Sequence, residues 1–115
     1  MPYIAVKTSA HISQEKEPGI LARISETASY DMGKPEAVMM VSIEKTAIML
    51  GGTLEPAAFV MVRGIGGVGG AVNKVLSRNI AHILDEELGI PVNRTYLNFV
   101  DVPGANWGVS GTTFA

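Results

Sequence analysis

The sequence predicts an α/β (α+β) fold in which two β-α-β units share one four-stranded mixed sheet. Short apolar runs alternate with two longer segments whose apolar residues recur at helical spacing. Each helical segment ends in a glycine that is followed, two positions later, by a proline. Gly33 and Gly89 are 56 residues apart, as are Pro35 and Pro91, which predicts a tandem repeat. We expect one domain over residues 1–115, with pseudo-repeats at about 2–56 and 58–115.

The first unit begins with Pro2–Thr8, a short apolar run without turn residues that predicts a strand. A polar loop over residues 9–19 leads into a helix that ends at Gly33. The apolar face of this helix is formed by Ile20, Leu21, Ile24 and Ala28. Val38–Ile43 predicts the second strand, and residues 45–56 form a connection to the second unit.

The second unit repeats this order with an offset of 56 residues. Ala57–Val62 predicts a third strand, which enters a glycine-rich bend. An amphipathic helix follows and ends at Gly89, with Val72, Val75, Leu76, Ile80, Ile83, Leu84 and Leu88 on its apolar face. Thr95–Asp101 predicts the fourth strand, and the tail from Pro103 is rich in small residues.

Right-handed crossovers place both helices on one face of the sheet. Val38–Val41 and Ala57–Val62 are nevertheless apolar at consecutive positions, so both of their faces favour burial. The face without helices therefore needs a partner. We expect an obligate oligomer whose sheets line the interface.

Composition excludes several classes of protein. The formal net charge is −2 and basic residues are not clustered, which argues against a nucleic-acid partner. There is no cysteine, so disulfides and thiol chemistry are absent.

No apolar run reaches the ~18 residues of a membrane span, and the first 20 residues do not resemble a signal peptide. We expect a cytoplasmic protein with no membrane partner. His11 and His82 do not form a metal-binding pattern, so no metal is expected.

The glycine bend contains Gly64, Gly66 and Gly69, which satisfy the G-x-G-x-x-G pattern of dinucleotide-binding loops. In a dinucleotide-binding unit the glycine loop follows the first strand, and an acidic residue ~20 positions later stands at the end of the next strand. Asp85 has about that separation but lies inside the predicted helix, and Asp101 lies too far along. We therefore expect no cofactor.

A set of short motifs carries a family resemblance. They are Met1-Pro2 opening a strand, Gly33-Lys34-Pro35, Ile65-Gly66 before Gly69-Gly70-Ala71, Tyr96-x-Asn98, Ala105-Asn106 and Thr113-Phe114-Ala115. In this order and spacing the chain resembles the macrophage migration inhibitory factor (MIF) family and the related dopachrome and phenylpyruvate tautomerases. The resemblance covers essentially the whole chain. It implies a homotrimer with active sites at the subunit boundaries, and keto–enol tautomerase activity on small aromatic 2-keto acids such as phenylpyruvate.

The resemblance also implies roles for individual residues. Pro2 is the catalytic base once Met1 has been removed, and Lys34 holds the substrate carboxylate. The backbone N–H of Ile65 faces the substrate. Tyr96 and Asn98 come from the neighbouring subunit, and an aromatic-accepting pocket is lined by Tyr3, Trp107 and Phe114.

An N-terminal proline amine is suited to act as the base in keto–enol tautomerisation. A free α-amino group has a pKa of ~7.7–8.0, more than two units below that of lysine. Burial and a nearby Lys34 would both disfavour its charged form. The amine would then be neutral, and able to accept a proton from carbon, near pH 7.

The chain departs from the family pattern at its C-x-x-C site, at its tryptophan, and at Phe99 and Val100, which stand where aromatic hydroxyls are often found. Cytokine members have a C-x-x-C motif where this chain has Ala57 and Val60, so thiol–disulfide activity does not carry over. Trp107 lies two positions before the usual tryptophan site, which Val109 occupies. Two alternatives stay open: a cytokine-like interaction protein with a vestigial pocket, whose receptor binding only the resemblance supports, and an enzyme acting on unsaturated dicarboxylates.

Overall fold

The computed structural model describes residues Met1–Ala115. Its main sheet contains β1 (Tyr3–Thr8), β2 (Met40–Lys45), β3 (Ala58–Gly64) and β4 (Thr95–Asp101). The strand order is β2-β1-β3-β4, in which the two central strands are antiparallel and each edge strand is parallel to its neighbour. Two helices, α1 (Glu17–Met32) and α2 (Gly70–Leu88), connect the strands within each half. The mixed sheet with two helices confirms the predicted fold class.

The core lies between the sheet and the two helices. Alternate residues of the central strands are buried on the helix-facing side, which is the expected period of a strand with one covered face. The fully buried side chains of this core include Ile4, Val6, Val60, Val62, Ile20, Ile24, Leu76, Ile80 and Leu84. Because both helices contribute to one cluster, they share a single face of the sheet.

The other face of the sheet carries three rows of side chains, which we call the open face. The register gives Met40–Tyr3–Arg63–Val100, Ser42–Ala5–Met61–Asn98 and Glu44–Lys7–Phe59–Tyr96, each row written from β2 to β4. Several of these side chains are large and apolar yet exposed, among them Met40 at 64% and Tyr96 at 55%. The open face therefore leaves apolar surface that this chain does not cover.

The second strand begins later than the sequence predicted. The expected strand was Val38–Ile43, whereas β2 is Met40–Lys45. Glu36–Val38 form a 3-10 turn after Pro35, in which the Met39 N–H donates to the Glu36 carbonyl at 2.9 Å. An equivalent turn, Val92–Arg94, precedes β4, 56 residues further on. The apolar run continues from turn into strand, so composition alone does not mark the boundary.

Both helices end at a left-handed glycine, as predicted, with φ of 65° at Gly33 and 68° at Gly89. The acidic end of α2 forms ion pairs with α1. Arg23 of α1 forms ion pairs with Glu86 at 3.2 Å and Glu87 at 3.1 Å. These contacts join the two helices across the layer.

The tail forms a small hairpin that the sequence did not predict. Its strands are β5 (Gly108–Val109) and β6 (Thr112–Thr113), which pair antiparallel. The Phe114 N–H donates to the carbonyls of Gly104 at 3.1 Å and Trp107 at 3.2 Å, which folds the chain end back on itself. Neither helix of the chain is long and apolar enough to cross a membrane.

Candidate active site

The first strand begins from a buried residue. Pro2 is almost completely buried, and its carbonyl accepts a hydrogen bond from the Met40 N–H at 3.1 Å. Burial lowers the pKa of the Met1 amine below its ordinary value of 8.0, and the positive charge of Lys34 lowers this pKa further. The amino terminus of the chain therefore lies where a protonated amine is disfavoured.

Lys34 is fixed by the end of α1. Its N–H donates to the Ser29 carbonyl at 3.1 Å, and the Ser29 hydroxyl donates to the Lys34 carbonyl. The side chain is half-buried, and its Nζ donates to the Ile65 carbonyl at 3.1 Å. This brings the ammonium group against the glycine bend that follows β3, with no carboxylate paired to it.

The glycine bend is shaped to accept that lysine. Gly66 and Gly67 both have positive φ, at 68° and 72°. A Cβ on Gly67 would lie 2.9 Å from the Lys34 Cε and 3.3 Å from the Met32 carbonyl oxygen. The Gly66 N–H donates to Asp101 Oδ1 at 3.0 Å. The adjacent Ile65 N–H makes no hydrogen bond within the chain, so this donor is free for a ligand.

A hollow of about 300 Å³ opens on the same end of the sheet and is lined by Tyr3, Arg63, Val102, Asn106, Trp107 and Gly108. We call it the Trp107 hollow. The Tyr3 hydroxyl forms a hydrogen bond with Ser42 Oγ at 2.7 Å, which orients the ring. The structure thus brings Tyr3 and Trp107 together. Phe114 is not among the lining residues, and its side chain is 44% exposed.

Tyr96 and Asn98 lie far from Pro2 within one chain. Both are on the open face of β4, opposite Phe59 and Met61 respectively. Phe59 in turn lies opposite Lys7, five residues beyond Pro2. At ~3.3 Å per residue, Tyr96 lies roughly 16 Å further along the strand direction and two strands to the side. Within one chain, Tyr96 and Asn98 therefore do not lie near the amino terminus.

Comparisons with known proteins identify the family. The sequence model described as "Macrophage migration inhibitory factor (MIF)" matches residues 1–115. The chain belongs to the MIF family. It is 37% identical to a MIF homolog from Trichuris trichiura, with 99% of this chain and 100% of that protein covered. It is 32% identical to MIF from Xenopus laevis, with both chains fully covered.

Solved structures agree with this assignment. The MIF homologue from Prochlorococcus marinus superposes with a TM-score of 0.94 at 30% identity and covers 98% of this chain and 99% of its own. The MIF-like protein from Entamoeba histolytica gives a TM-score of 0.94 at 27% identity, with 98% of each chain covered. The chain is thus a MIF-like protein of the tautomerase or cytokine type, and its fold is that of the family.

Two residues of this MIF-family site were missed at the level of sequence. In the sequence Asp101 stands out only against the dinucleotide pattern, whereas in the structure its carboxylate accepts a hydrogen bond from the Gly66 N–H. No sequence motif marks Arg63, whereas it lines the Trp107 hollow. A charged residue at the end of an otherwise apolar strand was the signal for both. No group of three or more histidine, cysteine or acidic side chains is arranged to hold a metal ion.

Proposed function

We propose that this protein is a keto–enol tautomerase of phenylpyruvate-type aromatic 2-keto acids, with the Pro2 amine as general acid and base. In the translated chain the Pro2 nitrogen is an amide without a basic lone pair, so removal of Met1 is required. The observation that carries the proposal is the environment of the amino terminus. Burial and the Lys34 charge lower the pKa of the Met1 amine, and both would act on a Pro2 amine one residue away.

The other groups near Pro2 fit the substrate. The unpaired Lys34 ammonium suits the carboxylate of a 2-keto acid, which would replace the Ile65 carbonyl as its partner. The free N–H of Ile65 can donate to the same carboxylate or to the carbonyl oxygen. Both interactions place the carbon next to the carbonyl near the amine, and holding reactants in position is a major part of catalysis.

The proton transfer balances without any further reactant. The neutral Pro2 amine removes a proton from the carbon next to the carbonyl. The electrons of that C–H bond form the C=C bond, and the carbonyl π electrons move to oxygen. The protonated Pro2 amine then gives this proton to the oxygen, which forms the enol and leaves the amine neutral, and the reverse sequence returns the proton through Pro2 to carbon. General acid–base catalysis of this kind contributes typically ~10²–10⁴-fold.

We further propose that the active sites lie at the subunit interfaces of a homotrimer. Tyr96 and Asn98 are exposed on the open face, about 16 Å and about 10 Å respectively along the strand direction from Pro2 of the same chain. A neighbouring chain packed on the exposed apolar rows could supply both side chains to the site. The apolar surface of the open face supports such an assembly because burial of this surface is favourable.

The test combines an activity assay with an intact mass. Enol–keto conversion of phenylpyruvate is measured for material whose mass lacks Met1, and for Pro2→Ala with its Met1 also removed. We expect Pro2→Ala to lose ~10²–10⁴-fold in kcat/KM because its primary amine lacks the rigid ring geometry and the secondary-amine basicity. Pro18→Ala, at an exposed proline in the first turn of α1, is the matched control.

Two results would overturn the proposal. One is unchanged phenylpyruvate turnover in folded Pro2→Ala. The other is full activity in material that retains Met1, since its Pro2 nitrogen cannot accept a proton.

A further inference from the structure

The peptide unit between Ile65 and Gly66 is held at both of its ends by charged side chains. Its carbonyl, on Ile65, accepts a hydrogen bond from Lys34 Nζ at 3.1 Å, and its N–H, on Gly66, donates to Asp101 Oδ1 at 3.0 Å. A trans peptide points its C=O and its N–H in opposite directions, so an ammonium group and a carboxylate lie on opposite sides of one amide. Hydrogen bonds with an ionised partner are roughly twice as strong as neutral ones. The two charges therefore fix the orientation of this peptide.

Asp101 differs from the other acidic residues of the chain in what it binds. The other carboxylates that accept hydrogen bonds take them from the side chains of Arg23, Thr53 and Asn79. Asp101 alone accepts one from a backbone N–H, and it forms no ion pair. Its carboxylate is therefore committed to the glycine bend and not to a charge network.

Asp101 lies on the side of the sheet that carries the helices. It pairs with Gly64 in the β3–β4 register, and Gly64 belongs to the buried, helix-facing residues of β3. Lys34 follows α1, whose buried residues pack on this same side. The contacts that join Asp101 to Lys34 through the bend therefore do not lie on the open face.

The bend is flexible at the peptide that Asp101 holds. Gly66 and Gly67 both have positive φ and no side chain, so the 65–66 peptide can turn over at low steric cost. A Cβ on Gly66 would lie only 3.8 Å from Lys34 Nζ, so the lysine lies close to this peptide. A turned peptide would present an N–H to an ammonium group that has donors only. Without Asp101, Lys34 would therefore lose a fixed acceptor.

The same end of β4 also orients the preceding peptide. The Val102 N–H donates to the Gly64 carbonyl at 2.8 Å. Because this carbonyl points towards β4, the N–H of the same peptide, on Ile65, points away from it. This is the N–H that makes no hydrogen bond within the chain. Asp101 thus acts on the acceptor of Lys34, whereas Val102 sets the direction of the free donor.

We propose that Asp101 is a positioning residue of this site, which acts on the substrate through Lys34. Its carboxylate keeps the Ile65 carbonyl facing the lysine, and this carbonyl keeps the ammonium group beside the bend, where the substrate carboxylate takes it over. The inference rests on the proposed tautomerase function. Ordering a long side chain on binding lowers affinity by about 2- to 10-fold, and a lysine that is already held in place avoids much of this loss.

The steady-state constants distinguish positioning from a merely structural role. Lys34 binds a carboxylate that does not react, so its contact is the same in the substrate complex and in the transition state and affects KM, not kcat. Asp101→Ala should raise KM for phenylpyruvate about 5-fold and leave kcat within about 2-fold. Asp101→Asn should return KM to within about 2-fold, since an amide oxygen accepts the same N–H. A structural loss would instead reduce the amount of active protein and lower kcat.

Binding can be measured without turnover by calorimetry on Met1-free protein. The probe is 3-phenylpropanoate, which has the carbon skeleton and carboxylate of phenylpyruvate but lacks the reacting carbonyl. Asp101→Ala should raise its Kd about 5-fold. Removal of a negative charge near an anion would by itself lower Kd, so the two explanations differ in sign. Asp85→Ala, the same substitution at an exposed position on α2, is the matched control and should leave Kd unchanged.

A double variant tests whether Asp101 acts through Lys34. In Lys34→Gln the cation to be positioned is absent, so the addition of Asp101→Ala should no longer weaken binding. Three results would each overturn the inference: no binding of 3-phenylpropanoate by the unmodified protein, an unchanged or lower Kd in folded Asp101→Ala, and the same loss with and without Lys34.

The two measurements also separate this inference from the proposed function. An unchanged KM in Asp101→Ala that still turns over phenylpyruvate overturns the role of Asp101 while the tautomerase survives. Absence of phenylpyruvate turnover in Met1-free protein whose Kd values follow the expected pattern overturns the tautomerase and leaves the link between Asp101 and Lys34 in place.

Discussion

Gly67→Ala tests whether the position of Lys34 matters to the site. The Cβ added at residue 67 would lie 2.9 Å from the Lys34 Cε, closer than Cβ atoms approach other carbons. It would also lie 3.3 Å from the Met32 carbonyl oxygen, which belongs to the end of α1 and has little freedom to move. The lysine is flexible, so we expect it to leave its place and lose its contact with the Ile65 carbonyl.

The backbone effect of this substitution has to be separated from its effect on Lys34. Residue 67 has φ of 72°, and an alanine there costs roughly 1–2 kcal/mol because Cβ approaches the carbonyl oxygen. Gly52 has φ of 78° with no atom within 4 Å of its added Cβ, so Gly52→Ala carries the same backbone strain alone. Both variants should lower the melting temperature, by roughly 4 °C per kcal/mol.

The two variants should differ in catalysis. Displacement of a substrate-positioning group by about 1 Å can cost up to ~10²-fold, so Gly67→Ala should lower kcat/KM for phenylpyruvate by about 10- to 100-fold. Gly52→Ala should change it less than about 2-fold, since its loop is remote from the site. The assay is enol–keto conversion by Met1-free protein at a temperature where both variants are folded. Equal kcat/KM in the two variants would refute the role given to Lys34.

Two further predictions concern the charge beside Pro2 and the open face. Lys34→Gln removes a positive charge that lowers the pKa of the terminal amine, so that pKa should rise. The amine must be neutral to act as a base, and the acidic limb of the kcat/KM–pH profile should therefore move to higher pH; a limb that stays in place contradicts the electrostatic argument. For the assembly, light scattering should give a mass three times the 12.1 kDa of one chain. Phe59→Lys on the open face should lower that mass, whereas Tyr30→Lys, at an 88% exposed position on α1, should not. A 12.1 kDa species in the unmodified protein would contradict the trimer.

The helices were predictable because their ends carry strong local signals. Gly33 and Gly89 adopt the left-handed conformation that the chain needs to leave a helix, and the prolines that follow prevent its continuation. The strand Thr95–Asp101 was predicted with its observed bounds because a turn and a proline separate it from α2. By contrast, β2 follows a turn made of apolar residues, and no sequence pattern distinguishes Val38 from Met40.

The residues of the site could be predicted only where the resemblance to the MIF family implied them. Nothing local marks Lys34 as a neighbour of the amino terminus, because their proximity depends on α1 folding back over the sheet. The Trp107 hollow depends on the tail hairpin, whose two-residue strands are too short to give an alternating pattern. Arg63 enters the site through its register with Tyr3, a pairing between residues 60 positions apart.

The repeat of 56 residues has a consequence for how such a site can arise. Residue 58 is the counterpart of Pro2 in the second half of the chain, and there an alanine continues an unbroken backbone. Duplication can copy strands, helices and caps, but it cannot copy a chain terminus. On the chemistry proposed for Pro2, the two halves can therefore never become equivalent, however similar their folds. Any segment fused ahead of Pro2 would silence the reaction, because the Pro2 nitrogen would then be an amide.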